Sequence, residues 1–229
     1  MKPRLLFLAF ALIVIFAKTA SAQAPQTGLW IGTVRLDKVT EPSGTLAPTA
    51  KVFEFRIIFH VDAGGNPRLL KDVIVVQNDH DFDPATPPQV RLITDLNFGF
   101  LNSASIVRRN GKAAAIRYGT SAYHFPEPEK PAPGVFAAGK GVSFNLDSGE
   151  NDPLNPFRHK FHPDHARGLA YLRRVAISFE GASVADAPGY GVKRLRGTYK
   201  EAIENLTNKQ IEMSGSLILD RISTVATLN

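Results

Sequence analysis

Between Lys51 and Asp62 every second residue is large and apolar. Phe53, Phe55, Ile57, Phe59 and Val61 alternate with positions that include Glu54, Arg56, His60 and Asp62. A period of two suits a strand, where successive side chains leave opposite faces, and does not suit a helix, whose period is 3.6. The pattern recurs. Tyr171, Val175, Ile177 and Phe179 share a face interrupted by Arg173, and Leu172, Arg174, Ala176, Ser178 and Glu180 share the other. Ile211, Met213, Leu217 and Leu219 oppose Glu212, Ser214, Ser216 and Asp220, and Trp30, Val34 and Leu36 share a face with Gly32 between them. Weaker strand signals cover Val90–Thr94, Ala113–Tyr118, Val135–Asn145 and Arg196–Ile203.

Punctuation supports the same view. Ala63-Gly64-Gly65-Asn66 tolerates positive φ, so Lys51–Asp62 and Leu69–Val76 are expected to form a hairpin. Leu69-Leu70 and Val73–Val76 are apolar on both faces, which predicts a strand covered on both sides. About nine strands result, enough for a mainly β fold: an antiparallel up-and-down barrel of the lipocalin-like kind, or a two-sheet sandwich. By fold-level analogy, a G-x-W opening such as Gly28-Leu29-Trp30 often lets the tryptophan plug one barrel end.

At most one or two short helices are expected. Asp95–Arg109 places Leu96, Phe100 and Leu101 at helical spacing, and Pro163–Arg167 suits one helical turn. Phe125–Pro133 reads FPEPEKPAP and predicts an extended, polyproline-like path. Leu146–His165 is polar and irregular, a length of loop that is usually functional or poorly ordered.

The first 22 residues have the order of a secretory signal peptide. Lys2 and Arg4 precede the uncharged apolar run Leu5–Ala17, and Ala20-Ser21-Ala22 is an A-x-A cleavage site. The apolar run is 13 residues, short of the roughly 20 that span a bilayer. No cysteine follows it, so a lipoprotein anchor is excluded. Removing 22 of the 229 residues leaves 207, expected as one β-rich domain over residues 23–229. Without cysteine there is no disulfide, and a core must hold the fold.

The leader carries three of the 27 basic residues and none of the 21 acidic ones, so the remainder has a net charge of only +3. That balance does not point to a nucleic-acid partner. Arg108-Arg109, Arg173-Arg174 and Lys193-Arg194-x-Arg196 are expected to be solvated faces and strand edges.

Four segments together resemble an uncharacterised β-rich module of exported bacterial proteins. They are GLWIGTV at Gly28–Val34, FRIIFHVDAGGNPRLLKDV at Phe55–Val73, NPFRHKFHPDH at Asn155–His165 and GTYKEAIENLTNKQIEMSGSLILDR at Gly197–Arg221. The resemblance implies an extracytoplasmic module, sometimes found inside larger surface proteins, and implies no activity. It also implies an acidic and amide pair after HPDH, where this chain has Ala166-Arg167.

The richest chemistry lies in His159, His162, Asp164 and His165. Imidazole and carboxylate suit zinc, copper or nickel, and Pro163 stiffens the segment. His60, His80 and His124 are candidates to complete such a site. The competing interpretation is a loop whose histidines pack and bond to backbone, with Asp164 as a cap. The Asn78–Asp83 run offers oxygen ligands for calcium but lacks the glycine and distal Glu of the twelve-residue calcium loop, so an Asx-rich turn also accounts for it.

Catalytic motifs are missing: there is no G-x-S-x-G elbow, phosphate loop or dinucleotide fingerprint. Glu201, Glu204, Glu150 and Asp152 read as solvent-facing charges, and the aromatics read as core. The expected function is therefore an exported, non-catalytic binding or interaction module, in periplasm, at the cell surface or in the medium. Its partner would be a small molecule, held inside if the fold is a barrel, or an envelope protein. A metal-dependent enzyme using His159–His165 and a structural envelope component are the alternatives.

Overall fold

Alternating sequence becomes strand almost throughout. The computed structural model describes residues 24–41, 43–78, 89–94, 106–109, 112–159, 166–183, 186 and 188–229. Among them are twelve strands and no helix. They are β1 (Gly28–Thr40), β2 (Leu46–Val61), β3 (Pro67–Leu70), β4 (Asp72–Asn78), β5 (Gln89–Ile93) and β6 (Ile106–Arg109), followed by β7 (Lys112–Gly119), β8 (Glu129–Pro131), β9 (Gly141–Ser148), β10 (Tyr171–Phe179), β11 (Arg194–Glu204) and β12 (Ile211–Ser223). An eight-stranded antiparallel sheet runs β8-β3-β2-β1-β12-β11-β10-β9, and a four-stranded one runs β5-β4-β7-β6. The fold is all-β with two sheets, and no described helix is long and apolar enough to cross a membrane.

The larger sheet curls, so the inner faces of its strands meet in one core. Trp30 and Val34 of β1, Ile57 and Phe59 of β2, Phe144 of β9, Ile177 of β10 and Leu219 of β12 all contribute to it. The ladder does not close into a barrel, because β8 and β9 remain its two edges. Sequence explains the opening. Pro126, Pro128, Pro131 and Pro133 have no N–H to give a ladder, and β8 is three residues long. The extended path expected over Phe125–Pro133 holds at Glu129–Pro131, which is strand, while residues 126–128 bend, and the short strand limits the sheet.

Tyr123, Phe125 and Phe136 come from outside the strands and fill the curl. Phe136 packs edge-on against Trp30 at 5.4 Å and against Phe179 at 4.9 Å. Trp30 is fully buried and donates Nε1–H to Gln26 O at 2.7 Å. Gly32 is required beside it, since a Cβ there would sit 1.9 Å from Ile218 O across the β1–β12 ladder.

The expected hairpin forms. Val61 pairs with Pro67, and Gly65 takes φ 84° in the turn. The following strand, expected to be continuous over Leu69–Val76, breaks at Lys71. β3 belongs to the large sheet and β4 to the small one. Thr120 N–H donates to Lys71 O at 2.9 Å, and Lys71 Nζ donates to Phe125 O at 2.7 Å, so the switch is tied on both sides.

The small sheet packs on the outer surface of β1–β3. Leu29, Ile58 and Leu70 meet Val73 of β4 and Leu92 of β5, with Val225 and Leu228 against them. The start of β1, the end of β2 and β3 are therefore covered on both faces, as the apolar Leu69-Leu70 pair predicts.

Three further expectations change. Of the helix expected over Asp95–Arg109, residues 95–105 lie outside the described residues and Ile106–Arg109 is strand β6. The strand expected over Val135–Asn145 starts only at Gly141, because Gly134 (φ 130°) and Gly139 (φ 71°) turn the chain first. The loop expected from Leu146 begins after Ser148, since β9 continues to that residue.

Candidate functional site

The histidine segment is only partly described. His159 is exposed, while His162, Asp164 and His165 lie outside the described residues, as does His80. Asn155 organises the loop before His159. It is buried and donates Nδ2–H to Gly149 O and Leu169 O at 2.9 and 2.7 Å, and its Oδ1 accepts Phe157 N–H at 2.9 Å. Arg158 closes the loop by donating to Asn151 O at 2.8 Å and Ala166 O at 3.1 Å. His60 sits elsewhere, 2% exposed on β2, with Nε2 3.0 Å from Val225 O, and His124 is exposed. Among the described residues, no three His, Cys, Asp or Glu side chains gather as a metal site. In the Asn78–Asp83 run only Asn78, the last residue of β4, is described.

The arginines of the basic clusters with described side chains pair with carboxylates. Arg174 pairs with Glu204 at 2.8 Å, Arg194 with Asp220 at 2.6 Å, and Arg196 with Glu180 at 3.2 Å and with Asp186. They are surface ion pairs, of the kind worth little each.

Glu201 is a correction. It was expected to face solvent, but its side chain is 1% exposed and pairs with Arg173. Tyr199 donates to Glu201 Oε2 at 2.7 Å, and Tyr123 donates to Tyr199 Oη at 3.1 Å. Arg173 also donates to Ala122 O and lies over the Tyr123 ring at 5.1 Å. Burial pushes both tyrosine hydroxyls well above the ordinary phenol range. Burial works against the Arg173 charge, yet the hydrogen bond and charge of Glu201 hold its pKa above the usual arginine value. A signal existed: Arg173 interrupts an inward face, and Leu195, Tyr199 and Glu201 share one parity on β11. The tyrosines are 1% and 0% exposed and both Glu201 oxygens are engaged, so this network braces the curl and leaves no group for a substrate.

Among the accessible features of the described residues is the seam between the edges β8 and β9. At one end the edges touch: Gly134 bridges Val142, Ser143 N–H donates to Pro133 O and Val135 N–H donates to Gly141 O, both at 2.8 Å. Beyond Ser143 they part around a groove of about 500 Å³. In an antiparallel strand, a residue sends its N–H and C=O to the same side. Ser143 and Gly141 bond across the seam, while Lys140 O bonds back toward β10. Asn145 and Asp147 share the parity of Ser143, so their N–H and C=O face the groove. Glu127, Glu129 and Asp147 line it against one ammonium, Lys130. Glu129 Oε1 accepts from Arg68, whereas its Oε2 is buried with no hydrogen-bond partner. Compared with protein-family models and with curated proteins, the chain matches none.

Proposed function

We propose that this chain is an exported, non-catalytic binding module that recognises an extended segment of a partner at the β8–β9 seam. The observation that carries this is a curled sheet whose interior is filled by Trp30, Tyr123, Phe125 and Phe136 while its ladder stays open along one edge. A filled interior leaves little room for the small ligand a barrel would hold. An unpaired strand edge offers backbone donors and acceptors in register, the usual seat for strand addition. Export is supported by the order Lys2/Arg4, Leu5–Ala17, Ala20-Ser21-Ala22, and it agrees with the resemblance to an exported β-rich module.

Selection of a displayed random peptide library on the processed protein tests this. Peptides enriched on the native protein should be lost on Asn145→Pro, which removes one N–H from the free edge without breaking a β9–β10 bond. Equal enrichment on both proteins would move the site away from the seam. No enrichment at all would remove the binding reading.

A further inference from the structure

Resting on that reading, we infer that the seam selects a segment in which basic residues alternate with apolar ones, added as a strand to β9. Three observations set the occupant. The backbone comes first: two successive seam-facing residues of β9, Asn145 and Asp147, present N–H and C=O toward the groove, so the guest is an extended chain, whose own side chains alternate.

The parity of the host then assigns a chemistry to each face of the guest. On the outer face, Asn145 and Asp147 are exposed on β9, and Glu129 of β8 pairs with Leu70, which belongs to the outer core. On the inner face, Phe144 lines the groove and is 3% exposed. Outward guest positions therefore meet carboxylates, and inward ones lie against the rim of the apolar core, where Phe144 is packed on Phe59 and Tyr123.

Charge completes the argument. Three carboxylates line the groove, of which Glu129 is already paired with Arg68, against Lys130, which pairs with the inward residue Leu69 and so stands on the other face. Glu127 and Asp147 are exposed, and an incoming ammonium or guanidinium can pair with them. An acidic guest would bring like charges together.

The test is equilibrium binding, by fluorescence anisotropy, of two end-blocked peptides of about eight residues. One alternates lysine with valine and the other glutamate with valine. The lysine peptide should bind at least about ten-fold tighter, and the advantage should shrink in high salt. Asp147→Lys should erase most of the difference. Glu212→Lys, the same charge change on the outer face of β12, should leave it intact. Equal binding of the two peptides overturns the charge inference but keeps strand addition at the seam, provided Asn145→Pro abolishes both. Binding that survives Asn145→Pro, or no binding of either peptide, overturns the seam itself.

Discussion

Leu69 and Leu70 are neighbours in the chain, are both fully buried, and belong to different cores. Leu69 points into the curl of the eight-stranded sheet. Leu70 points outward into the layer under β4 and β5. One dipeptide thus joins both cores, and one residue later, at Lys71, the chain leaves one sheet for the other.

Truncating the two leucines should have separable consequences. Leu69→Ala and Leu70→Ala each remove a fully buried side chain and should cost about 2–5 kcal/mol. Hydrogen exchange should distinguish them. Leu70→Ala should speed exchange mainly in β4 and β7, and Leu69→Ala mainly in the large sheet. Identical exchange maps would refute two separate cores.

The Arg173–Glu201 pair should behave as a buried charge pair. Arg173→Met leaves the Glu201 carboxylate buried without its counter-ion and should cost about 3–5 kcal/mol in denaturant unfolding. Adding Glu201→Gln removes the stranded charge and keeps an acceptor for Tyr199. The double variant should therefore be more stable than Arg173→Met alone. Additive losses would contradict the pairing.

Alkaline titration should separate Tyr123 and Tyr199 from ordinary phenols. Their folded pKa values lie above the unfolded value of 10.0, chiefly through burial. Above about pH 10 the unfolded chain loses these protons and the folded one keeps them, so stability falls as pH rises. The slope should be about 1.4 kcal/mol per pH unit for each tyrosine. Phenolate absorbance should show two of the five tyrosines ionising only on unfolding. Tyr199→Phe should reduce the slope.

Acid acts through His60. Burial lowers its pKa below 6.5, against the opposing pull of the Val225 carbonyl, Glu129 and Asp62, with Arg68 lowering it further. The carbonyl partner requires hydrogen on Nε2, which leaves Nδ1 buried with no hydrogen-bond partner. Below pH 6.5 the unfolded state takes up the proton first, so this contribution is complete above 6.5 and is lost as pH falls through the lower folded value. Stability between about pH 7 and 5 should fall more steeply in the native protein than in His60→Gln. Exchange should rise at residues 224–229, where Val225 accepts the His60 bond. Equal slopes would refute the assignment.

Much of the strand content was legible because parity is a local property. Phe55 to Val61, Val175 to Phe179 and Leu217 to Leu219 announce their faces without knowing their neighbours, whereas Phe53, expected in the core on the same parity, is 62% exposed because β2 runs past the packed part of the sheet. The same parity contained an unused signal in Arg173 and Glu201, two charges on inward faces. Each looks like a solvent-facing interruption until the β10–β11 register sets Val175 opposite Glu201, one inward step from Arg173. The metal reading of His159, His162, Asp164 and His165 stands on residues mostly outside those described.

By itself the chain determined that it would be extended, turn at Gly65 and bury Leu69 and Leu70 on opposite sides, since such preferences arise within a few residues of backbone and side chain. Only the tertiary structure decided that the sheet curls without closing and that Tyr123, Phe125 and Phe136 fill it. It also brought Asn145 and Asp147 to face an acidic groove. Those outcomes depend on which distant strands become neighbours, and no short-range period encodes that pairing.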